Sequence, residues 1–409
     1  MRIWFINHYA VPIKYYPLAR TTNFAKYLIR AGHEVKIFCA SSVHNSDINL
    51  IEDGLLCREE TVDGIPYVYV RCRSYKSKVQ RILNMLDFAW NLKKVCDHYE
   101  TPDVIMVSSQ TPFACMRALK MAKTMNAKSI VEVTDLWPES LAAYGIIKKS
   151  NPALVPMYFF EKKMYEYADE IIFSFEGGYD YIEERGWGKD IPRTKVHYIN
   201  NGVDLDLFDY NKAQYHIEDD DLNNDTIFKV VYTGSIRRIN NLGKLLDVAK
   251  TIKNSKIKFL IWGKGDEKSV LEERIAKEQI RNVVFKGYVD KNYVPYILSQ
   301  ADLNIAHNSA SPIFRFGASF NKFFDYMASG KPIMADFPCK YNPIVQSGAG
   351  FEVSDPTPEN ISKTIENFAE IDKGAYDKYC RNARNGAEKY DFKNMTQNLL
   401  KIMTGELQK

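Results

Sequence analysis

Short runs rich in β-branched and aromatic residues alternate with amphipathic helical stretches from one end of this chain to the other, and part-way along the alternation restarts. That rhythm builds parallel sheets covered by helices on both faces, because each crossover between parallel strands carries a helix. Ile3 to Asn7, Glu34 to Ala40, Asp103 to Ser108, Lys128 to Val133, Glu170 to Ser174 and Lys195 to Ile199 read as strands of a first unit. Phe228 to Tyr232, Lys256 to Trp262, Asn282 to Phe285, Leu303 to Ala306 and Pro332 to Ala335 read as strands of a second. The helix spacing of Phe24, Leu28 and Ala31 predicts a helix from Leu18 to Arg30, stopped by Gly32. Between the units, Glu218-Asp219-Asp220-Asp221 and Asn223-Asn224-Asp225 are acidic and turn-prone, the composition of a solvated linker. The expected division is therefore 1–208, a linker at 209–225, and 226–390, with 391–409 left over.

Composition supports two folded domains and removes several function classes. A chain of 409 residues exceeds one ordinary core. Its 45% hydrophobic and 26% charged residues are globular proportions. A net charge of +4 argues against nucleic acid as partner, since phosphate neutralisation needs a concentrated basic stripe. The seven cysteines are scattered, with no Cys-x-x-Cys pair and no metal-like spacing to histidine, so they read as buried thiols of a reducing compartment. The apolar start at Ile3 is too short for a signal segment, and the run Ala153 to Phe160 is interrupted by Pro156. A cytoplasmic protein without a membrane span is expected.

Ligands of such sheets bind beyond the carboxyl ends of the strands, so two facing units create one cleft. The most informative segment is Phe314 to Pro332, where a glycine-containing loop leads into a short helix. With Ser319 near its start and Asn321 following, the free N–H groups and positive dipole end suit a phosphate. Lys322 would add a point charge, and Asp325 one turn on would accept hydrogen bonds from ribose hydroxyls. The same residues would equally make an ordinary capped helix with a surface lysine and aspartate. A second loop, Tyr232 to Asn241, carries Gly234 and the paired forks Arg237 and Arg238, suited to a diphosphate. Trp262-Gly263-Lys264-Gly265 forms a third glycine-bearing loop at the same edge. No Gly-x-Gly-x-x-Gly, Gly-x-x-x-x-Gly-Lys-Ser/Thr or Gly-x-Ser-x-Gly sequence stands in the required context, which leaves group transfer from a nucleotide as the best class.

These segments resemble the family-4 retaining glycosyltransferases of the GT-B fold, in which two Rossmann-like α/β domains face each other across a cleft. The likeness runs through Phe285-Lys286-Gly287-Tyr288-Val289, Phe324 to Pro332, Ala31-Gly32-His33-Glu34-Val35 and Asn201-Gly202-Val203-Asp204. Asp135-Leu136-Trp137-Pro138-Glu139-Ser140-Leu141, with Asn7-His8-Tyr9 and Arg20, is similar to the branch that assembles O-antigen and capsule repeat units, including amino-deoxyhexose transferases. The resemblance implies an acceptor-binding first domain, a nucleotide-sugar-binding second domain, and a final helix from Asp391 to Met403 that returns to the first. It implies that Arg237 or Arg238 and Lys322 contact the donor diphosphate, that Asp325 holds the ribose, and that Val289 lies under uracil. Gly317 stands where the family's first motif glutamate is expected, and the family's loop lysine has no clear counterpart, with Asn241 and Lys244 nearby.

The expected reaction moves a hexose or N-acetylamino-deoxyhexose from a UDP-sugar to a lipid-linked polyprenyl diphosphate acceptor, with retention and with neither metal nor further cofactor. Charge building on the leaving diphosphate would be met by preorganised cations and N–H groups. Asp135 follows a strand and would position the acceptor, or would be a helix cap or turn residue. His8 follows the first strand and would touch the sugar, or would be packed. From Arg71 to Lys94, seven basic residues accompany Ile82, Leu83, Leu86, Phe88 and Trp90. Such a helix suits the anionic inner face of the cell membrane, or packs on the core with a solvated basic start. A sugar-nucleotide 2-epimerase and a catalytically silent donor-binding subunit are the alternatives.

Overall fold

The computed structural model describes residues 1–16 and 19–406, with all of their side chains except that of Ile239. By contacts the chain divides into Met1–Asn200 with Phe392–Lys409, and Asn201–Asp391.

The first unit runs β1 (Arg2–Ile6), α1 (Ala19–Arg30), β2 (Glu34–Ala40), β3 (Cys57–Val62), β4 (Ile65–Val70), α2 (Lys78–Cys96), β5 (Val104–Ser108), α3 (Pro112–Met125), β6 (Lys128–Val133), α4 (Glu139–Ala143), α5 (Leu154–Tyr167), β7 (Glu170–Phe173), α6 (Gly178–Glu184) and β8 (Val196–Tyr198). Its sheet has the order β3-β4-β2-β1-β5-β6-β7-β8. Strand β1 sits in the middle, pairing Ile3 with Val35 on one side and with Val104 on the other. Ile3 to Ile6 are all buried, the unbroken apolar run of a strand covered on both faces. Only β3 is antiparallel, joined to β4 by the two-residue turn Asp63-Gly64, both with positive φ (51° and 76°). The sequence reading lacks this hairpin. Strand β3, Cys-Arg-Glu-Glu-Thr-Val, is half exposed at the sheet edge, where polar residues are tolerated. The expected start of α1 at Leu18 lies outside the described residues.

The second unit continues with α7 (Leu205–Gln214), β9 (Phe228–Thr233), α8 (Gly243–Thr251), β10 (Ile257–Trp262), α9 (Lys268–Glu278), β11 (Val283–Gly287), α10 (Val294–Ser299), β12 (Leu303–Ala306), α11 (Asn321–Ala328), β13 (Ile333–Ala335), α12 (Pro343–Gln346), β14 (Gly350–Glu352), α13 (Pro358–Ala369) and α14 (Lys373–Lys389). Its sheet is entirely parallel, in the order β11-β10-β9-β12-β13-β14. Val230, Tyr232, Leu246, Ile261, Leu303 and Met334 belong to the core on one of its faces.

Two expectations change. The stretch 209–225 is not an open linker: it begins inside α7, whose N-cap Asp204 accepts from the Leu207 N–H at 3.1 Å. Its acids are docked, with Lys286 of β11 donating to both Asp219 and Asp221 at 2.7 Å and Lys258 of β10 reaching Asp221 at 3.1 Å. The basic helix begins at Lys78 rather than near Arg71, because Ser77 and Gln80 form a capping box there. The last helix, α15 (Phe392–Thr404), is part of the first unit, where Phe392 meets Phe24 of α1 edge-to-face at 5.2 Å. Within the second unit, Val203 near its entry bridges Asp391 at its exit.

Candidate functional site

At the carboxyl edge of the second sheet, the loops after β9, β10 and β11 stack on one another. The Gly234 N–H donates to the Trp262 carbonyl at 3.0 Å, and the Gly263 N–H to the Gly287 carbonyl at 2.8 Å. A Cβ at Gly263 would stand 1.8 Å from the Gly234 carbonyl oxygen, and one at Gly265 would stand 1.9 Å from that of Ile236. These glycines are thus required by loop-on-loop contact, a reason distinct from the ligand approach expected of Gly234 and Gly263. Arg237 and Arg238 project from the first loop, exposed, and neither side chain has a polar partner among the described residues. Val289 is half-buried beyond β11, beside Tyr288, whose exposed ring lies 3.9 Å beneath the Lys264 ammonium.

Helix α11 is held against this edge by Tyr326. Its hydroxyl accepts from the Thr233 N–H at 3.1 Å and lies 3.2 Å from the Thr233 carbonyl. An aromatic cluster of Phe314, Phe320, Phe323 and Phe337 fixes the approach to the helix. The helix starts at Asn321 without a side-chain cap. Ser319 does not serve that end: its hydroxyl accepts from the Asn201 N–H at 3.1 Å, and its carbonyl from the Asn201 amide at 2.7 Å. Lys322 rests over the Tyr232 ring, 4.5 Å from its centre and 3.4 Å from its hydroxyl. Burial lowers its ammonium to about 8, opposed by the charge of Asp336. Burial raises the Asp325 carboxyl, with Lys291 the opposing cation, and that carboxylate has no hydrogen-bond partner among the described residues. Lys322 and Asp325 therefore stand one turn apart, both half-buried and neither held in an ion pair among the described residues.

Sequence reasoning missed the residues beneath them. His307 and Asp336 each follow a buried strand, β12 and β13, and both are fully enclosed. His307 Nδ1 meets Asp336 Oδ2, and Nε2 faces the Asn241 carbonyl at 3.0 Å. Lys244 of α8 stands 4.0 Å from the same carboxylate oxygen. The available signal is a polar residue immediately past an apolar strand.

At the carboxyl edge of the first sheet the polar groups are bound to one another. His8 is buried against Tyr9 and Phe88, and its Nε2 lies 2.8 Å from Asn84 Oδ1. Burial drives its imidazole down to about 3, so the ring is neutral and Nε2–H donates, while Nδ1 is enclosed without a partner. Arg20 Nε bonds Glu132 at 2.7 Å, and its other nitrogens take the carbonyls of Ile199 and Asn200. Asp135 is exposed. It accepts from the Ser140 hydroxyl at 3.3 Å and is not the cap of α4, a position held by Pro138. Crowding by the surrounding protein raises its carboxyl. The structure thus places His8 inside the core and Asp135 at the surface of the first unit, and gathers Arg237, Arg238, Lys322 and Asp325 on the second.

Helix α2 leaves Val79, Ile82, Leu83, Leu86 and Trp90 exposed. Leu83, Leu86 and Trp90 line a groove with Phe113 and Met116 of α3 and Phe160 of α5, and Arg117 and Lys120 stand on its wall with no polar partner among the described residues. Arg73 is bound to Asp87 at 2.6 and 2.9 Å.

Two families match this chain. Residues 18–202 match the family described as Glycosyl transferase 4-like domain, and residues 216–389 match Glycosyl transferases group 1. The chain thus carries a glycosyl transferase 4-like domain followed by a glycosyl transferases group 1 domain. Among curated relatives, the probable glycosyltransferase WbjE of Pseudomonas aeruginosa is 19% identical over 66% of this chain and 67% of its own. The putative colanic acid biosynthesis glycosyl transferase WcaI of Escherichia coli K12 is 20% identical over 70% of this chain and 71% of its own. Among solved structures, sucrose-phosphate synthase of Thermosynechococcus elongatus superposes with a TM-score of 0.70 at 15% identity, covering 99% and 98% of the two chains. HepE of Anabaena in complex with UDP gives 0.66 at 12%, covering 99% and 100%. The chain thus has the GT-B fold class, two Rossmann-like domains built on mainly parallel sheets. Among the described residues, no helix is long and apolar enough to cross a membrane.

Proposed function

We propose that this glycosyltransferase moves a hexose or an N-acetylamino-deoxyhexose from a UDP-sugar to a sugar carried on a polyprenyl diphosphate lipid, with retention of configuration, in surface polysaccharide assembly. The carrying observation is the pair on α11. Lys322 and Asp325 are half-buried without ion-pair partners among the described residues, an arrangement that favours a ligand able to supply the missing charges and hydroxyls. In this reading Lys322, Arg237 and Arg238 take the diphosphate as the glycosidic bond breaks, the uncapped N–H groups at Asn321 add to them, and Asp325 takes the ribose. These cations do the work of a divalent ion, so neither metal nor cofactor is required. The complexes of HepE with UDP and with UDP-glucose support the choice of nucleotide. Val289 would lie under the base, and Asp135, exposed beyond β6, would position the acceptor hydroxyl.

The single alanine variants of Arg237, Arg238 and Lys322 test the donor side. Loss of one preorganised charge from a transition state costs about 10²–10³ in kcat. Near wild-type turnover in all three would overturn the diphosphate assignment. A thermal-shift panel of UDP-sugars identifies the sugar, since only a bound donor raises the melting point.

The acceptor reading rests on the α2–α3–α5 face of the first unit, where apolar side chains stand in water beside unpaired cations. Such a face suits the anionic inner surface of the cell membrane, where a lipid-linked acceptor is presented. Flotation with vesicles containing an anionic phospholipid should carry the wild type upward and leave the triple variant Trp90→Glu, Arg117→Glu, Lys120→Glu behind. Equal flotation of the two would sink the membrane reading.

A further inference from the structure

The charges around Asp336 do not sum to zero. The register of β12 with β13 sets Ala306 beside Ala335, so the next residues, His307 and Asp336, meet just past the strand ends. Both ring nitrogens of His307 face acceptor oxygens, the Asp336 carboxylate on one side and the Asn241 carbonyl on the other. The ring is thus held between two oxygens, one from the β13 end and one from the turn after β9. The other carboxylate oxygen accepts from the Asn308 N–H at 3.3 Å. Lys244 donates to the Asp336 main-chain carbonyl at 3.3 Å and stands 4.0 Å from the carboxylate. Lys322 lies within the field of the same carboxylate. The Asp336 carboxylate thus stands between the ammonium groups of Lys244 and Lys322, whose positive charge matches a diphosphate that the site would receive.

We propose that His307 and Asp336 are positioning residues for the donor diphosphate. Through the Asn241 carbonyl, the pair fixes the turn that presents Arg237 and Arg238. Through the carboxylate, it holds the ammonium groups of Lys244 and Lys322 at the sheet edge. Asn241 itself sits at φ 51°, a left-handed conformation that an external hydrogen bond to its carbonyl helps to hold. The inference rests on the donor reading above and adds the part that keeps the site charged before the nucleotide arrives, so that little reorganisation is needed on binding. It also supplies a place for Lys244, which stands near where the family's loop lysine is missing.

Tyr232 from β9 faces Lys322 and Asp336 beyond β13 acts on its charge, while His307 beyond β12 and Lys244 from α8 meet that same carboxylate, and Asp325 and Tyr326 follow on the helix of Lys322. Of these, Asp336 is the one whose charge holds the Lys322 proton against burial. The test measures UDP affinity by calorimetry between pH 6 and 9 for the wild type, Asp336→Asn, His307→Gln and Lys322→Ala. Wild-type affinity should fall as pH rises through about 8, the value burial gives Lys322. Lys322→Ala should abolish that fall. Asp336→Asn should move it down by about one pH unit, an effect typical of losing one opposite charge nearby, and so weaken UDP about fivefold at pH 8. His307→Gln, which keeps a side-chain amide beside Asn241 and removes the ring that joins Asn241 to Asp336, should weaken UDP at every pH without moving the fall downward. A wild type that binds UDP with no fall below pH 9, or an Asp336→Asn curve parallel to wild type, would overturn the inference while leaving the donor reading standing. A wild type that binds no UDP would remove the donor reading itself. Should Asp336→Asn fail to fold, the wild-type and His307→Gln curves still decide.

Discussion

The carboxyl edges of the two sheets are built from similar residue types and treat them in opposite ways. In the first unit, Arg20, Glu132, His8 and Asn84 lie in the interior and bond one another or the backbone. In the second, Lys322 and Asp325 are half-buried, Lys322 meets only the Tyr232 hydroxyl, and neither is held in an ion pair among the described residues. A buried charge whose bonds are complete belongs to the scaffold, because its removal leaves the remaining partner stranded. A desolvated charge with incomplete bonds weakens the scaffold and is repaid only by a ligand. Proximity to a strand end alone does not separate the two.

The largest expected effect follows from Arg20→Ala. Glu132 would be left uncompensated in the core, and unfolding free energy measured in urea should drop by about 3–5 kcal/mol. An unchanged urea midpoint would place Arg20 with the ligand-binding groups. Next comes Asp325→Ala, which removes hydrogen bonds from a ligand to a charged group, worth about 1.5–3 kcal/mol, so UDP affinity should weaken about ten- to a hundredfold. Its melting temperature without ligand should not fall. A protein that melts earlier yet binds UDP normally would reverse the comparison.

The smallest effect is a slope. The imidazole of His8 is lowered to about 3 in the folded state, whereas an exposed histidine titrates near 6.5. Between those values the unfolded chain binds a proton that the folded chain does not, so stability is full above pH 6.5 and is lost as pH falls toward 3. The expected slope from this residue is about 1.4 kcal/mol per pH unit. His8→Gln should remove that increment from the urea stability curve between pH 6 and 4, with turnover at pH 7.5 changed little. A large loss of turnover with an unchanged acid slope would return His8 to the reacting centre.

Much of this fold can be read from the chain, because strands buried on both faces carry unbroken apolar runs. Glu34–Ala40, Lys128–Val133 and Leu303–Ala306 have the bounds that their composition indicates. The β3–β4 hairpin escaped for a different reason: Asp63-Gly64 is a strong turn signal, yet the flanking polar edge strand lacks the apolar run that elsewhere identifies strands. The candidate donor site is legible in part, since Arg237, Arg238, Lys322 and Asp325 lie in short segments that follow strands. What could not be read is which polar groups are completed by distant partners. Asn84 is 76 residues from His8, Glu132 is 112 from Arg20, and Asp336 is 29 from His307. The glycines show the same limit, because Gly263 is required by Gly234 across a strand crossover.

The packing of α15 on α1 has a consequence for how this protein is made. Phe392, Met395 and Leu399 are buried in the first unit, and Phe392 closes on Phe24 of α1. They leave the ribosome after the whole of the second unit. The first unit therefore has all of its strands early but stays incomplete, with that face of α1 uncovered, until the second unit has been made. Synthesis order and completion order are inverted, and a nascent chain halted before residue 392 would expose to chaperones the half that was translated earliest.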